Sequence, residues 1–120
     1  MSLEGRIIAK VPTTLYVFAA GIFLSNGVNL FNDVYGAAAI PDRAHQLLLA
    51  SGSSIAAAAC WTVVAVKIEQ LIKTADFGAS DAPRRDALLG ELWNDVRVRV
   101  LAYLAGAIVA SCLALLALLH

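Results

Sequence analysis

The sequence predicts an all-α integral membrane protein, a bundle of three membrane-spanning helices. Three stretches lack any Asp, Glu, Lys, Arg or His, and they cover residues 11–32, 46–66 and 100–119. Each holds 20 to 22 residues, which at ~1.5 Å per helical residue crosses a hydrocarbon layer of ~30 Å. Hydrophobic residues make up 60% of the chain and charged residues 15%, and the mean hydropathy is +0.75. These values lie far from those of soluble domains.

The distribution of basic residues predicts that the amino terminus lies inside and the carboxyl terminus outside. Two of the nine Lys and Arg residues precede the first span, six lie between the second and third, and Arg43 alone lies between the first and second. Cytoplasmic loops carry the excess of Lys and Arg, so the amino terminus and segment 67–99 should face the cytoplasm. Tyr16, Trp61 and Tyr103 all fall near the same inner depth, as interfacial aromatic residues do. We expect a multi-pass protein of the bacterial cytoplasmic (inner) membrane, with an organellar membrane as the alternative.

Segment 67–99 is predicted to be a short cytoplasmic helical hairpin that extends the second and third spans. Apolar residues recur at helical spacing on both sides of a turn that contains Gly78 and Pro83, and Ser80 or Asp81 should cap the second helix. Within the hairpin we expect Arg84, Arg85 and Trp93 to dock a partner. The chain, residues 1–120, is one domain.

Small residues indicate how the second and third spans pack. The third span carries Ala102, Gly106, Ala110 and Ala114 at intervals of four, a stripe that lets a neighbouring helix approach closely. The second span carries small residues on nearly every side, Gly52 and Ala56 among them. We therefore expect the second span to occupy the centre of the bundle.

The first span carries polar residues along one stripe. The stripe consists of Gly21, Ser25, Asn29 and Asn32, and amides in hydrocarbon need hydrogen-bonding partners. One interpretation is interhelical hydrogen bonding near the outer interface. The other is a ligand pocket, a quinone contact or the lining of a pore.

The sequence contains no compact catalytic motif and no charge inside any span, so we expect neither an enzyme nor a single-chain ion carrier. His45 and His120 should both lie outside, with Asp33 and Asp42, where they could ligate a metal or haem; lone interfacial histidines are the simpler interpretation. We predict no metal and no cofactor, although a bound lipid or pigment is compatible with the spans. The sequence contains no basic patch mixed with aromatic residues, so it does not predict nucleic-acid binding.

Two families share the outline of this chain. In length and number of spans it resembles bacterial diacylglycerol kinase, but Thr62 and Ala65 stand where that family has a glutamate and an asparagine, and Glu69 alone matches one of its acids. It also resembles the small anchor subunits of succinate dehydrogenase and fumarate reductase, without their His-rich segment. The resemblance therefore concerns architecture.

These observations predict a small accessory or anchor subunit of a larger membrane complex, respiratory or photosynthetic, that acts by helix packing. Its partners would be the lipid bilayer and other membrane subunits or copies of itself. The alternative is a homo-oligomeric membrane pore or permeabilising effector, in which copies associate through the stripe from Ala102 to Ala114.

Overall fold

A computed structural model describes residues 3–36, 41–78 and 81–119, and nearly all of them are helical. The four helices are α1 (Leu3–Lys10), α2 (Thr13–Gly36), α3 (Pro41–Gly78) and α4 (Ala82–Leu119). Within the described ranges, Val11, Pro12 and Asp81 are the residues outside helices. Three of the helices are long and apolar enough to cross a membrane, over Thr13–Val34, Asp42–Gly78 and Ala82–Ala117. The prediction of an all-α chain with three candidate spans is confirmed.

α3 lies in the centre of the bundle and packs against both α2 and α4. Its buried residues in the span are mostly small, and Ala50, Ser51, Ser54 and Ala57 are each at most 1% exposed. Small side chains on a broad face allow two helices to approach one helix closely. The predicted central position of the second span is therefore confirmed.

The chain breaks between α1 and α2 at Pro12. Proline has no N–H, so the Ile8 carbonyl loses the donor that would follow it by four residues in a helix. The Tyr16 hydroxyl takes that place and donates to the Ile8 carbonyl oxygen at 3.1 Å, in a buried contact. Tyr16 therefore holds α1 against the start of α2.

The turn between α3 and α4 has local stabilising contacts. α3 ends at Gly78, and the Asp81 carboxylate accepts a hydrogen bond at 3.0 Å from the backbone N–H of Arg84, which caps α4 as predicted. Ser80, the alternative cap, lies outside the described residues. Arg85 forms an ion pair with Asp76 across the turn.

Glu69 and Lys73, one helical turn apart in α3, form an ion pair with nitrogen and oxygen 3.0 Å apart. Both side chains are more than half exposed, so the pair contributes little to stability.

The molecule is a rod with extents of 63 × 19 × 18 Å. α3 and α4 hold 38 residues each, about 57 Å of helix, which is nearly twice the hydrocarbon thickness. The largest buried side chains gather toward the α1 end, where Val64 and Ile68 of α3 pack with Trp93 and Val100 of α4. The opposite end is held together by smaller residues.

Candidate functional site

α2 contacts α3 along one face, and the two helices approach closely at Gly27. A Cβ atom added to Gly27 would lie 2.6 Å from Ile55 Cγ1 and 3.3 Å from the Ser51 carbonyl oxygen. The Ser51 hydroxyl donates to the Gly27 carbonyl oxygen at 2.8 Å. Tyr16 and Ala20 are buried on the same face. Gly27 was not predicted from the sequence to be a packing residue, although it follows Ala20 by seven residues and so lies near the same side of the helix.

The polar stripe of α2 lies on the opposite face. Gly21, Ser25, Asn29 and Asn32 are all exposed, and no atom lies within 4 Å of a Cβ added at Gly21. Within the part of the chain that the structure describes, their side chains form no hydrogen bond. We call these four residues the amide face. They share one side of α2, and that side points away from α3 and α4.

An open groove runs between α3 and α4 along the span. Its volume is about 510 Å³, and Gly52, Ala56 and Ala110 lie on it together with Leu49 and Leu113. We call it the α3–α4 groove. The structure thus brings together three residues that the sequence marked for helix packing. A Cβ added at Gly52 has no atom within 4 Å, Ala56 is exposed and Ala110 is half-buried.

The groove continues toward the end of α4. A second volume of about 460 Å³ is lined by His45, Gln46, Leu116 and Ala117. The Gln46 amide donates to the Ala117 carbonyl oxygen at 2.7 Å, which satisfies one of the free carbonyls of the last helical turn. His45 is exposed at this mouth.

The small-residue stripe of α4 lies partly against α3 and partly outside it. Ala102 is exposed, Gly106 and Ala110 are half-buried, and Ala114 is buried. A Cβ added at Gly106 would lie 3.5 Å from Cys60 Sγ, an ordinary contact. Residues spaced by four rotate ~40° per step around a helix of 3.6 residues per turn. The stripe therefore runs from the exposed side of α4 at Ala102 to the side that contacts α3 at Ala114.

Trp61 connects all three long helices. Its ring stacks on Tyr16 of α2 with centroids 6.0 Å apart, and its indole N–H donates to Ser111 Oγ of α4 at 3.1 Å. The Ser111 hydroxyl donates in turn to the Ala107 carbonyl oxygen at 2.6 Å. The contact with Tyr16 confirms that these two aromatic residues lie at one level. The connection to α4 was missed, because nothing in the spacing of Trp61 and Ser111 indicates it.

The docking residues predicted in segment 67–99 do not form one surface. Trp93 is 1% exposed and lies in the core, so the prediction that it docks a partner is wrong. Its large apolar ring fills the space between α3 and α4 at this end. Arg84 is exposed, and Arg85 is held by Asp76.

The candidate metal ligands that the structure describes do not form a cluster. Among the described residues, no group of three or more His, Cys, Asp or Glu side chains is placed to hold a metal ion. His120 lies outside the described residues. Cys60 and Cys112 are both free thiols.

Comparison with known proteins adds no identification. No family model, no curated protein and no solved structure matches this chain.

Proposed function

We propose that this protein is a small accessory or anchor subunit of a larger membrane assembly and acts by helix packing. The observation that supports the proposal best is the α3–α4 groove. Its floor is made by Gly52, Ala56 and Ala110. The chain places no atom within 4 Å of a Cβ added at Gly52, Ala56 is exposed and Ala110 is half-buried. A transmembrane helix of a partner subunit fits such a surface.

The physical reason lies in how helices associate in lipid. The hydrophobic effect does not drive two apolar helices together in hydrocarbon, so association depends on close van der Waals packing. Small residues on the floor let a partner backbone approach, while Leu49 and Leu113 provide contact area at the sides. Bulky residues at the floor would prevent that approach.

In the proposed orientation the amino terminus and segment 67–99 lie in the cytoplasm and the carboxyl terminus lies outside. Eight of the nine Lys and Arg residues then face the cytoplasm, and Arg43 faces outward. The rod is 63 Å long, so α3 and α4 would project from a ~30 Å hydrocarbon layer as a hairpin. The exposed Arg84 would lie on this projection, accessible to a soluble partner. A bioenergetic complex of the bacterial cytoplasmic membrane is the assembly we favour.

A homo-oligomeric pore or permeabilising effector is the alternative, and the amide face favours it. In that arrangement Asn29 and Ser25 would line a wet axis, and copies would meet through other surfaces such as Ala102.

Filling the groove tests the subunit proposal. Gly52→Leu places a side chain where no intrachain atom lies within 4 Å, so the fold should be retained while a partner helix is excluded. We expect polypeptides that co-purify stoichiometrically with the wild-type chain from its native membrane to fall at least tenfold. Quantitative mass spectrometry of the purified complex measures this.

The matched control is Ala105→Leu, an exposed position of α4 outside the groove, which should retain the partners. Retention of every partner by Gly52→Leu would contradict the groove assignment. Purification of the wild-type chain with no other polypeptide would contradict the subunit proposal itself.

A further inference from the structure

The amide face of α2 lies within the apolar part of the bundle. Gly27 is level with Ser51 and Ile55 of α3, both of which belong to the charge-free stretch 46–66. Asn29 follows Gly27 by two residues, about 3 Å along the axis. Its side chain is exposed, so in a single chain the amide would face lipid.

An asparagine in this position has unmet hydrogen-bonding capacity, unlike the hydroxyls of Thr62 and Ser111. The Thr62 hydroxyl donates to the Ala58 carbonyl of its own helix at 2.8 Å, and Ser111 does the same with Ala107. The Asn29 side chain forms no such bond in the described chain. Each unsatisfied polar group in hydrocarbon is costly, so the amide favours a partner that supplies both a donor and an acceptor.

We propose that the amide face binds the same face of a second copy of this chain, with a two-fold axis along the membrane normal. Copies inserted in the same orientation present α2 in parallel, so an isologous contact brings Asn29 opposite Asn29 and Ser25 opposite Ser25. An amide both donates and accepts, and is therefore complementary to itself. Gly21, with no atom within 4 Å of its added Cβ, lets the two backbones approach.

The described outward surfaces of α3 and α4 do not offer an equivalent partner for these amides, since the Gln46 amide in these spans already donates to the Ala117 carbonyl. The outward residues of α3 and α4 in the spans are mainly Leu, Ile, Val and Ala, and the hydroxyls of Thr62 and Ser111 are already bonded. A head-to-tail ring would set amides against this apolar surface. A closed pair satisfies them instead, and it leaves the α3–α4 groove free, so this pairing is independent of the subunit contact proposed above.

Disulfide cross-linking tests the geometry. In a Cys60→Ala, Cys112→Ala background, Ser25→Cys should form a dimer on mild oxidation in lipid vesicles, because Cα atoms beside a two-fold axis come within the ~7 Å that a disulfide requires. Leu24→Cys is the control: it has the same depth and is 50% exposed, but it points ~100° away. We expect cross-linking at least fivefold faster for Ser25→Cys.

Substitution of the amide tests the energetics. Asn29→Leu suits a lipid-facing position, so the chain should fold, and self-association measured by energy transfer in vesicles should weaken between threefold and twentyfold, as expected for loss of an interhelical hydrogen bond. Asn26→Leu removes an exposed amide that lies off this face and should leave association unchanged.

Equal cross-linking at positions 24 and 25, or an unchanged association of Asn29→Leu, would overturn the proposal. So would assemblies larger than dimers in which the cysteine at position 25 reacts with a membrane-impermeant thiol reagent, since that result indicates a pore lining. Gly52→Leu should retain the dimer, which separates failure of this pairing from failure of the groove contact.

Discussion

At the residue scale, Tyr16 compensates for a hydrogen bond that Pro12 removes. The proline ends the first short helix and leaves the Ile8 carbonyl without its usual donor. The Tyr16 hydroxyl donates to that carbonyl, and the Tyr16 ring stacks on Trp61. One side chain thus joins α1, α2 and α3, and in a low-dielectric environment the carbonyl would otherwise be costly to bury.

Tyr16→Phe is expected to destabilise the docking of α1. It removes the hydroxyl while keeping the ring, so the buried Ile8 carbonyl loses its partner at a cost of about 1–3 kcal/mol. Hydrogen exchange of the α1 amides in detergent micelles measures this as loss of protection.

Two further variants test whether loss of the hydrogen bond to the Ile8 carbonyl causes the loss of protection. Pro12→Ala combined with Tyr16→Phe should recover protection, because residue 12 then supplies its own N–H to the Ile8 carbonyl. Tyr103→Phe, at a residue 43% exposed, should change stability by no more than ~0.5 kcal/mol. Full protection of α1 in Tyr16→Phe alone would show that the hydroxyl is unimportant.

At the scale of the helix, each span uses one face inside the chain and leaves another to its surroundings. α2 places Gly27 against α3 and its amide face away from it. α4 buries Val100, Ala107 and Ala114 at intervals of seven, a spacing that returns close to the same side of a helix. The outward faces are therefore the surfaces on which the proposed assembly depends.

The two glycines of α2 predict opposite results on substitution. Gly27→Ala should lower the free energy of unfolding by about 1–3 kcal/mol, because the added Cβ meets Ile55 Cγ1 at 2.6 Å and forces the helices apart. Gly21→Ala should be neutral or slightly stabilising, since its Cβ enters open space and alanine favours the helix. Denaturant titration in dilute detergent, where copies are separated, provides the comparison.

Equal stabilities of the two variants would contradict the close approach of α2 to α3 at Gly27. A loss of stability confined to Gly21→Ala would reverse the assignment of the two faces.

At the scale of the whole molecule, the proposed orientation divides the rod into a membrane part and a part that extends beyond it. Its 63 Å length exceeds a hydrocarbon layer of ~30 Å, and the charged residues of segment 67–99 lie on the extended part of α3 and α4. Three of the larger buried side chains, Ile68, Leu71 and Trp93, lie in this extension. A hydrophobic core of this kind is suited to water, where burial of large apolar surfaces is favourable.

Thiol labelling tests the orientation. In the background without Cys60 and Cys112, Ala87→Cys should react with a membrane-impermeant maleimide in inverted vesicles and stay unreactive in intact cells, while Arg43→Cys should show the reverse. Both positions are exposed, so accessibility depends on the side of the membrane. Labelling of Ala87→Cys from outside intact cells would overturn the proposed orientation.

Much of the architecture could be predicted from the sequence. The three charge-free stretches correspond to α2, α3 and α4, the turn after Gly78 and the cap at Asp81 are where the residue types indicate, and the small residues of the second span predict its central place. The predicted ends of the spans were less accurate. α2 continues to Gly36 and α3 begins at Pro41, both within the stretch expected to connect the first two spans.

The choice of packing faces could not be predicted in the same way. Gly21 and Gly27 both look like sites of close approach, yet Gly27 alone contacts α3. Trp93 was expected on the surface of the hairpin and lies in its core.

By itself the sequence determined the number of spans, their positions and the helical class, because transfer into hydrocarbon depends on the length and composition of a continuous segment. The tertiary structure alone decided which side of each span is buried and which small residues form the α3–α4 groove. It also decided that the amide face points away from α3 and α4. The reason is that, apart from the amide face, the faces of the spans are apolar enough for lipid, so hydrophobic periodicity does not distinguish a protein neighbour from the membrane. Steric fit at a few residues, such as Gly27 against Ile55, makes that distinction.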